Sequence, residues 1–118
     1  MQKNLTDKAL YEMQAEICKT LADPKRLMIL HELRNGERSV SQLIATLGLS
    51  QANISQHLAI LRERALITGR RRGRSVYYSL ANPKISEACD IVREVLRDQL
   101  ERNHDLANFL APLSGRIE

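Results

Sequence analysis

Apolar positions near the start of the chain recur every three or four residues. The stripe is formed by Leu10, Met13, Ile17 and Leu21. This period predicts an amphipathic helix over Thr6 to Leu21. A second helix follows at once, because Asp23 is a good N-cap and Pro24 suits the first helical position. We expect it to run to about Arg34, where Asn35-Gly36 ends it.

Two short helices joined by a tight turn are predicted next. Ser41 to Leu47 forms the first helix, and Gly48 closes it. Ser50 caps the second, which runs from about Gln51 to Glu63. On a helical wheel the apolar side of this second helix collects Ile54, Leu58, Leu61 and Ala65. The pair predicts a helix-turn-helix over about residues 41–63.

The hydrophobic period changes after Arg64. In "LITGRRRGRSVYYSL", β-branched and aromatic residues lie on both sides of a Gly- and Arg-rich centre. This pattern predicts a β-hairpin, or wing, over about residues 66–80, with its tip near Arg71 to Arg74. A last helix is expected over about residues 83–103. The predicted fold class is mainly α with a small β-hairpin, in a single domain over residues 1–118.

Composition agrees with a packed helical core. The 118 residues are 43% hydrophobic, yet they include one Phe, three Tyr and no Trp. Small aliphatic side chains must therefore build the core, which favours packed helices over an aromatic-rich sandwich. No apolar run approaches the length that a bilayer requires, and no signal peptide opens the sequence. We expect a cytoplasmic protein that does not contact membranes.

Positive charge is concentrated in one segment. Between Arg62 and Arg74 lie six Arg and a single acid, Glu63, whereas the whole chain carries a net charge of only +4. A concentrated basic patch on a nearly neutral body is typical of a nucleic-acid-binding protein. The alternative interpretation is an ordinary solvated charged loop.

The helix that starts at Gln51 has an uncharged polar face. Gln and Asn side chains can bond adenine, Ser can bond most bases, and an Ala methyl can touch the thymine methyl. The candidate base-reading residues are Gln51, Ala52, Asn53, Ser55 and Gln56. Phosphate contacts are assigned to the wing, through Arg70, Arg71, Arg72 and Arg74. A helix-turn-helix followed by a basic hairpin is a winged helix, and we expect it to dimerise because one module covers few base pairs.

At these residues the sequence resembles the ArsR/SmtB family of dimeric winged-helix repressors. The matching stretches are "LADPKRLMIL", "SVSQLIATLGLSQANISQHLAILRERALI" and "GRRRGRSVYYSL". The resemblance implies a homodimer joined through its first and last helices. It also implies a near-palindromic double-stranded operator that the repressor releases when an effector binds. It further implies that Ser50 and His57 lie near the DNA backbone or brace the helix.

Many members of that family sense metals, and here this sequence departs from them. The segment that carries a Cys pair in one family site reads "ERSVSQL", without Cys. The positions that match another family site are Asn82, Lys84, Val95 and Asp98. Val and Lys do not ligate metals in the usual way, so we expect neither this metal site nor a cofactor.

The two cysteines are candidate effector residues. Cys89 lies on the apolar stripe of the last helix, and Cys18 lies next to Ile17. Three interpretations stay open for this pair. The thiols pack as small hydrophobes, act as a redox or reactive-sulfur sensor, or bind a thiophilic ion such as arsenite.

The sequence does not predict an enzyme. No Ser/His/Asp set, acid pair or phosphate-cradling glycine loop can be placed on this fold. The function expected is sequence-specific transcriptional regulation by a homodimeric repressor. The alternative is a winged helix of the anti-repressor type that binds protein and not DNA.

Overall fold

The computed structural model describes residues 6–103 and 108–111. Its elements in chain order are α1 (Asp7–Leu21), α2 (Pro24–Leu33), β1 (Arg38–Ser39), α3 (Val40–Leu47), α4 (Gln51–Glu63), β2 (Ile67–Arg72), β3 (Ser75–Leu80) and α5 (Lys84–Arg102). The chain divides into two compact units, residues 1–86 and residues 87–118. Of the sequence described, no helix has both the length and the apolar character needed to cross a bilayer.

Polar side chains fix where four of the helices begin. Thr6, Asp23, Ser39 and Ser50 are the N-caps of α1 to α4. Ser39 forms a reciprocal capping box, because its hydroxyl accepts from the Gln42 N–H while the Gln42 side chain accepts from the Ser39 N–H. The predicted start of α3 at Ser41 is therefore late by one residue, since Val40 is already helical.

The core of the first unit consists of aliphatic side chains from α2, α3, α4 and the base of the wing. It contains Ile29, Leu30, Leu33, Leu43, Ile54, Leu58, Leu61, Leu66 and Ile67. Ile17 and Leu21 of α1 pack against this core together with Tyr78 and Leu80 of β3. Burial of such side chains contributes about 1.5–3 kcal/mol each. The structure therefore confirms the aliphatic, mainly helical fold.

The structure confirms the predicted hairpin, formed by β2 and β3, and adds a third strand, β1, that was not predicted. The strand order of the sheet is β1-β3-β2, and both pairings are antiparallel. β1 is only two residues long and pairs Arg38 with Tyr78 and Ser39 with Tyr77. This third strand attaches the segment before α3 to the wing.

The end of α4 at Glu63 agrees with the prediction, but the position expected for Ala65 does not. Ala65 does not continue the apolar stripe, because α4 ends at Glu63 and Ala65 has a left-handed φ of 61°. The Ala65 N–H donates to the Arg62 carbonyl and the Leu66 N–H to the Leu61 carbonyl. These two bonds form a Schellman motif, which turns the chain out of α4 and into β2.

Candidate nucleic-acid interface

One face of α4 is exposed and carries no charge over its first two turns. Gln51, Ala52, Ser55 and Gln56 are exposed, and Asn53 is half-buried. The opposite face holds Ile54, Leu58 and Leu61, all buried in the core. The candidate base-reading side chains therefore lie on the side of the helix that the core leaves open.

Ser50 acts at the start of α4 as a cap. Its side-chain oxygen accepts from the Asn53 N–H at 3.1 Å. The first turn of α4 contains no acidic residue. The positive end of the helix dipole is therefore not offset by a carboxylate on its own first turn, which favours an anion there.

His57 braces α4 against the rest of the unit and does not face outward. Its side chain is only 8% exposed, and Nδ1 lies 3.3 Å from Arg26 Nη1. Because a guanidinium only donates, Nδ1 accepts this hydrogen bond. The same guanidinium donates through Nε to the Thr20 carbonyl of α1 at 2.6 Å. Of the two roles that the resemblance implied for His57, its burial and its contact with Arg26 favour the bracing role, and a DNA contact by His57 stays a prediction.

Periodicity could have identified the burial of His57. It lies three residues after Ile54 and four before Leu61, on the inner side of the helix. Its polar partner, Arg26, could not be predicted, because it comes from a different helix.

The arginines of the wing point to two different faces of the sheet. In β2, Arg70 and Arg72 pair with Tyr77 and Ser75 of β3, and Arg71 pairs with Val76. Since successive strand residues alternate between faces, Arg71 lies on the face opposite Arg70 and Arg72. Arg74 lies in the turn between β2 and β3, next to Gly73, whose φ is 63°.

Glu37 is a residue of this region that the sequence did not indicate. Its carboxylate lies 3.2 Å from Arg70 Nη2 and 3.1 Å from Arg72 Nη1. The Arg72 guanidinium also lies over the Tyr77 ring, 4.1 Å from its centroid. Glu37 directly precedes β1, and only the pairing of β1 with β3 brings it to the wing. A strand of two residues leaves no hydrophobic period to predict, so this contact had no sequence signal.

A groove of about 370 Å³ separates α4 from the wing. It is lined by Ser55, Leu58, Ala59, Arg62, Glu63 and Tyr78. Gly69 lies close to two of these residues, because a Cβ there would come within 3.0 Å of the Tyr78 side chain and 3.3 Å of the Arg62 side chain. A side chain at Gly69 would therefore crowd the Tyr78 ring and, to a smaller extent, the Arg62 guanidinium.

The two cysteines have different surroundings. Cys18 is exposed on α1, whereas Cys89 is half-buried on α5. Burial raises the pKa of the Cys89 thiol, the Asp90 charge raises it further, and the Arg93 charge offsets part of the effect. A raised pKa leaves less thiolate at neutral pH, which weakens Cys89 as a nucleophile.

No group of three His, Cys, Asp or Glu side chains that could hold a metal ion occurs among residues 6–103 and 108–111. At the positions that match a family metal site, Asn82 accepts from the Lys84 N–H through Oδ1 at 2.9 Å. Asp98 lies 4.0 Å from Arg102. These side chains therefore have contacts within the chain itself.

Comparison with known proteins was made on both sequence and structure. The model of a family described as bacterial regulatory protein, arsR family, matches residues 23–68. The HTH-type transcriptional regulator Rv0081 of Mycobacterium tuberculosis is 42% identical over 88 residues, which are 74% of this chain and 77% of that protein. Its crystal structure matches with a TM-score of 0.72 and 40% identity, covering 79% of this chain and 94% of that one.

Two further proteins add to this similarity. The transcriptional repressor PagR of Bacillus anthracis is 43% identical over 75 residues, which are 63% of this chain and 75% of that protein. A homodimeric winged helix-turn-helix DNA-binding domain from Mycobacterium bovis matches with a TM-score of 0.73 and 31% identity. That match covers 85% of this chain and 94% of the other.

Proposed function

This chain belongs to the arsR family of bacterial regulatory proteins, and we propose that it represses transcription as a homodimer bound to a near-palindromic operator. As a family member it is a DNA-binding winged helix-turn-helix regulator and not an enzyme. The observation that carries the proposal is the exposed, uncharged face of α4 next to an arginine-bearing wing. The compartment proposed is the cytoplasm, where bacterial DNA is found.

In this proposal α4 enters the major groove and reads base edges. Gln51 and Gln56 present amide groups that can bond adenine, Ser55 presents a hydroxyl, and Ala52 presents a methyl. Asn53 is half-buried and lies at the edge of this surface. All of these side chains are uncharged, so they can distinguish bases without adding sequence-independent attraction to phosphate.

The wing and the start of α4 supply phosphate contacts. Arg71 and Arg74 are exposed, and within the described part of the chain neither has a carboxylate within 4.0 Å. The N-terminus of α4, with its cap at Ser50, offers backbone N–H groups to the same partner. Each phosphate neutralised steepens the salt dependence of binding by about 0.9 in the logarithmic slope.

The proposed dimer forms through α1 and α5. Exposed apolar side chains on α1 include Leu10, Tyr11 and Met13, and those on α5 include Ile91, Val92, Val95 and Leu96. Such stripes on a single chain are typical of surfaces that a second subunit covers. Two α4 helices related by a two-fold axis match a near-palindromic operator.

The proposed effector is a thiol-reactive species that acts at Cys18 and Cys89. Exposure makes Cys18 the accessible thiol, and the raised pKa of Cys89 makes it the slower one to react. We expect treatment with the oxidant diamide, or with arsenite for the thiophilic alternative, to weaken operator binding. Because the oxidant joins two thiols in one disulfide, the response should be lost in Cys18→Ser and in Cys89→Ser alike. Equal DNA binding by all forms would assign both thiols to packing.

DNA binding is tested by fluorescence anisotropy with two duplexes of equal length. One is the fragment upstream of the protein's own gene, and the other has the same bases in shuffled order. Gln56→Ala should reduce the preference for the first duplex by about tenfold or more, with an unchanged salt slope. Arg71→Gln with Arg74→Gln should weaken both duplexes alike and lower the slope by about two.

The outcome for the unaltered protein decides between the two functions. Binding of the upstream fragment over the shuffled one supports the operator-binding repressor. If the protein binds neither duplex even at low salt, the proposal is wrong and the protein-binding winged helix is favoured.

A further inference from the structure

The four wing arginines are not equivalent, because two of them already form ion pairs with a carboxylate of the same chain. Glu37 is within ion-pair distance of Arg70 and Arg72, and its side chain is 27% exposed. Both Glu37 carboxylate oxygens accept from Arg70 Nη2, at 3.2 Å each. In the described residues, Arg71 and Arg74 have no such partner.

The contact turns Arg72 away from the tip of the wing. Arg72 lies opposite Ser75, in the row next to the turn, whereas Tyr77 lies opposite Arg70, one same-face row further from the turn. The Arg72 guanidinium lies over the Tyr77 ring and meets Glu37 there. Its charge is therefore held toward the base of the wing and not at the tip beside Arg74.

These contacts are exposed enough to be exchanged for another anion. Arg70 and Arg72 have side-chain exposures of 65% and 51%. Exposed ion pairs are weak because water screens both charges. A phosphate and a carboxylate present similar oxygen geometry to a guanidinium, so either one can occupy it.

We propose that Glu37 is an internal competitor of DNA phosphate, which keeps Arg70 and Arg72 out of the phosphate contact and so limits the sequence-independent affinity of the wing. This inference rests on the proposed DNA-binding function. Arg71 and Arg74 then make the phosphate contacts. Arg70 and Arg72 can contact phosphate only after it displaces the Glu37 carboxylate. The protein then keeps a strongly basic wing without the full salt-sensitive attraction of four free guanidinium groups.

The test uses Glu37→Gln, which keeps the side-chain shape and removes the charge. Affinity for a shuffled-sequence duplex is measured by fluorescence anisotropy over a range of salt concentrations. We expect affinity at low salt to rise about three- to tenfold and the salt slope to steepen by one to two units, because up to two arginines become free for phosphate.

Two controls separate this effect from a general change of charge. Glu63→Gln removes the same charge from a carboxylate that forms no ion pair with an arginine among the described residues, and it should change the slope much less. In a chain that carries Arg70→Gln and Arg72→Gln, Glu37→Gln should no longer raise affinity. Thermal unfolding of each variant checks that the wing remains folded.

Several results would overturn the proposal. Weaker DNA binding by Glu37→Gln would make Glu37 a support that the wing needs for binding. Equal effects of Glu37→Gln and Glu63→Gln on DNA affinity would show that Glu37 acts only through the net charge of the protein. An unaltered protein that binds no duplex contradicts the proposed function itself, whereas normal binding with an unchanged Glu37→Gln slope contradicts only this inference.

Discussion

Ala65 is a single residue under backbone strain. It occupies the C′ position of the Schellman motif after α4 with a φ of 61°, where the Cβ of an alanine crowds the backbone and glycine is preferred. We expect Ala65→Gly to stabilise the protein by about 0.5 kcal/mol, which is the relief of strain less the greater freedom of glycine in the unfolded chain.

The matched control is Ala45→Gly in the body of α3. There glycine only loosens a regular helix, so the variant should lose about 1 kcal/mol. Urea unfolding followed by circular dichroism measures both changes. A loss of stability in Ala65→Gly would show that the backbone strain at Ala65 costs less free energy than the added freedom of glycine in the unfolded chain.

Asp23 makes stability depend on pH. Desolvation alone would raise the pKa of Asp23, but hydrogen bonds from the Arg26 and Lys25 N–H groups, with nearby positive charge, lower it below its ordinary value. A lowered folded-state pKa means that ionised Asp23 stabilises the fold above its unfolded value of about 3.9. That contribution is lost as the pH falls through the folded-state pKa.

Asp23→Asn tests this dependence, because asparagine keeps the cap but cannot ionise. At pH 7 the variant should be less stable than the unaltered protein, and the difference should shrink as the pH falls below about 4. Urea unfolding at several pH values between about 2.5 and 7 follows the difference. A gap that stays constant with pH would mean that Asp23 acts through its shape and not through its charge.

Single residues also show what sequence could and could not predict about the site. The exposure of Gln51, Ser55 and Gln56 follows from the 3.6-residue period, and the structure agrees. The same 3.6-residue period also places His57 on the buried side of α4. The contacts of Glu37 with Arg70 and Arg72 depend on residues 33 to 35 positions apart, which no local pattern records.

Among the secondary-structure elements, α3 depends on its capping box. Ser39 is buried and satisfies the Gln42 N–H, while the Gln42 side chain satisfies the Ser39 N–H. We expect Ser39→Ala to lower the free energy of unfolding by about 1 kcal/mol. The melting temperature of Ser39→Ala, measured by thermal unfolding, should fall by a few degrees.

Ser41→Ala is the control for this prediction. It makes the same substitution two residues later, at an exposed position inside α3 where alanine is a better helix former. Its stability should be unchanged or slightly higher. Equal losses in Ser39→Ala and Ser41→Ala would contradict a specific role for the cap.

The elements differ in how far sequence could predict them. The bounds expected for the second helix of the helix-turn-helix, Gln51 to Glu63, are those observed for α4, because Ser50 supplies an unambiguous start. The strand β1 was missed, since two residues carry no alternation of polar and apolar side chains. It exists only because β3 offers it a hydrogen-bonding edge.

For the protein as a whole, the proposed assembly depends on the exposed apolar stripe of α5. We expect Val92→Lys to weaken the dimer, because a charge in an apolar interface must be desolvated without a partner. Sedimentation or light scattering should show monomers at concentrations where the unaltered chain is dimeric. Operator affinity should fall with the dimer, since the two half-sites are no longer read together.

Glu94→Lys on the same helix is the control. It changes the net charge by more than Val92→Lys does, but it replaces an exposed residue that is already charged. It should leave the dimer intact. Dissociation by both variants alike would indicate a general effect of charge on α5, and no dissociation by either would place the interface elsewhere.

Arg26 joins the end of α1 to α4 through a single guanidinium group. Its Nε bonds the Thr20 carbonyl, and its Nη1 bonds His57. A shift of Thr20 or of His57 changes the hydrogen bonds of the same Arg26 guanidinium, so the conformations of these two sites are coupled. Thermodynamic linkage then requires reciprocity: a ligand that binds near the end of α1 and weakens DNA binding by some factor must itself bind more weakly, by that factor, when DNA is present.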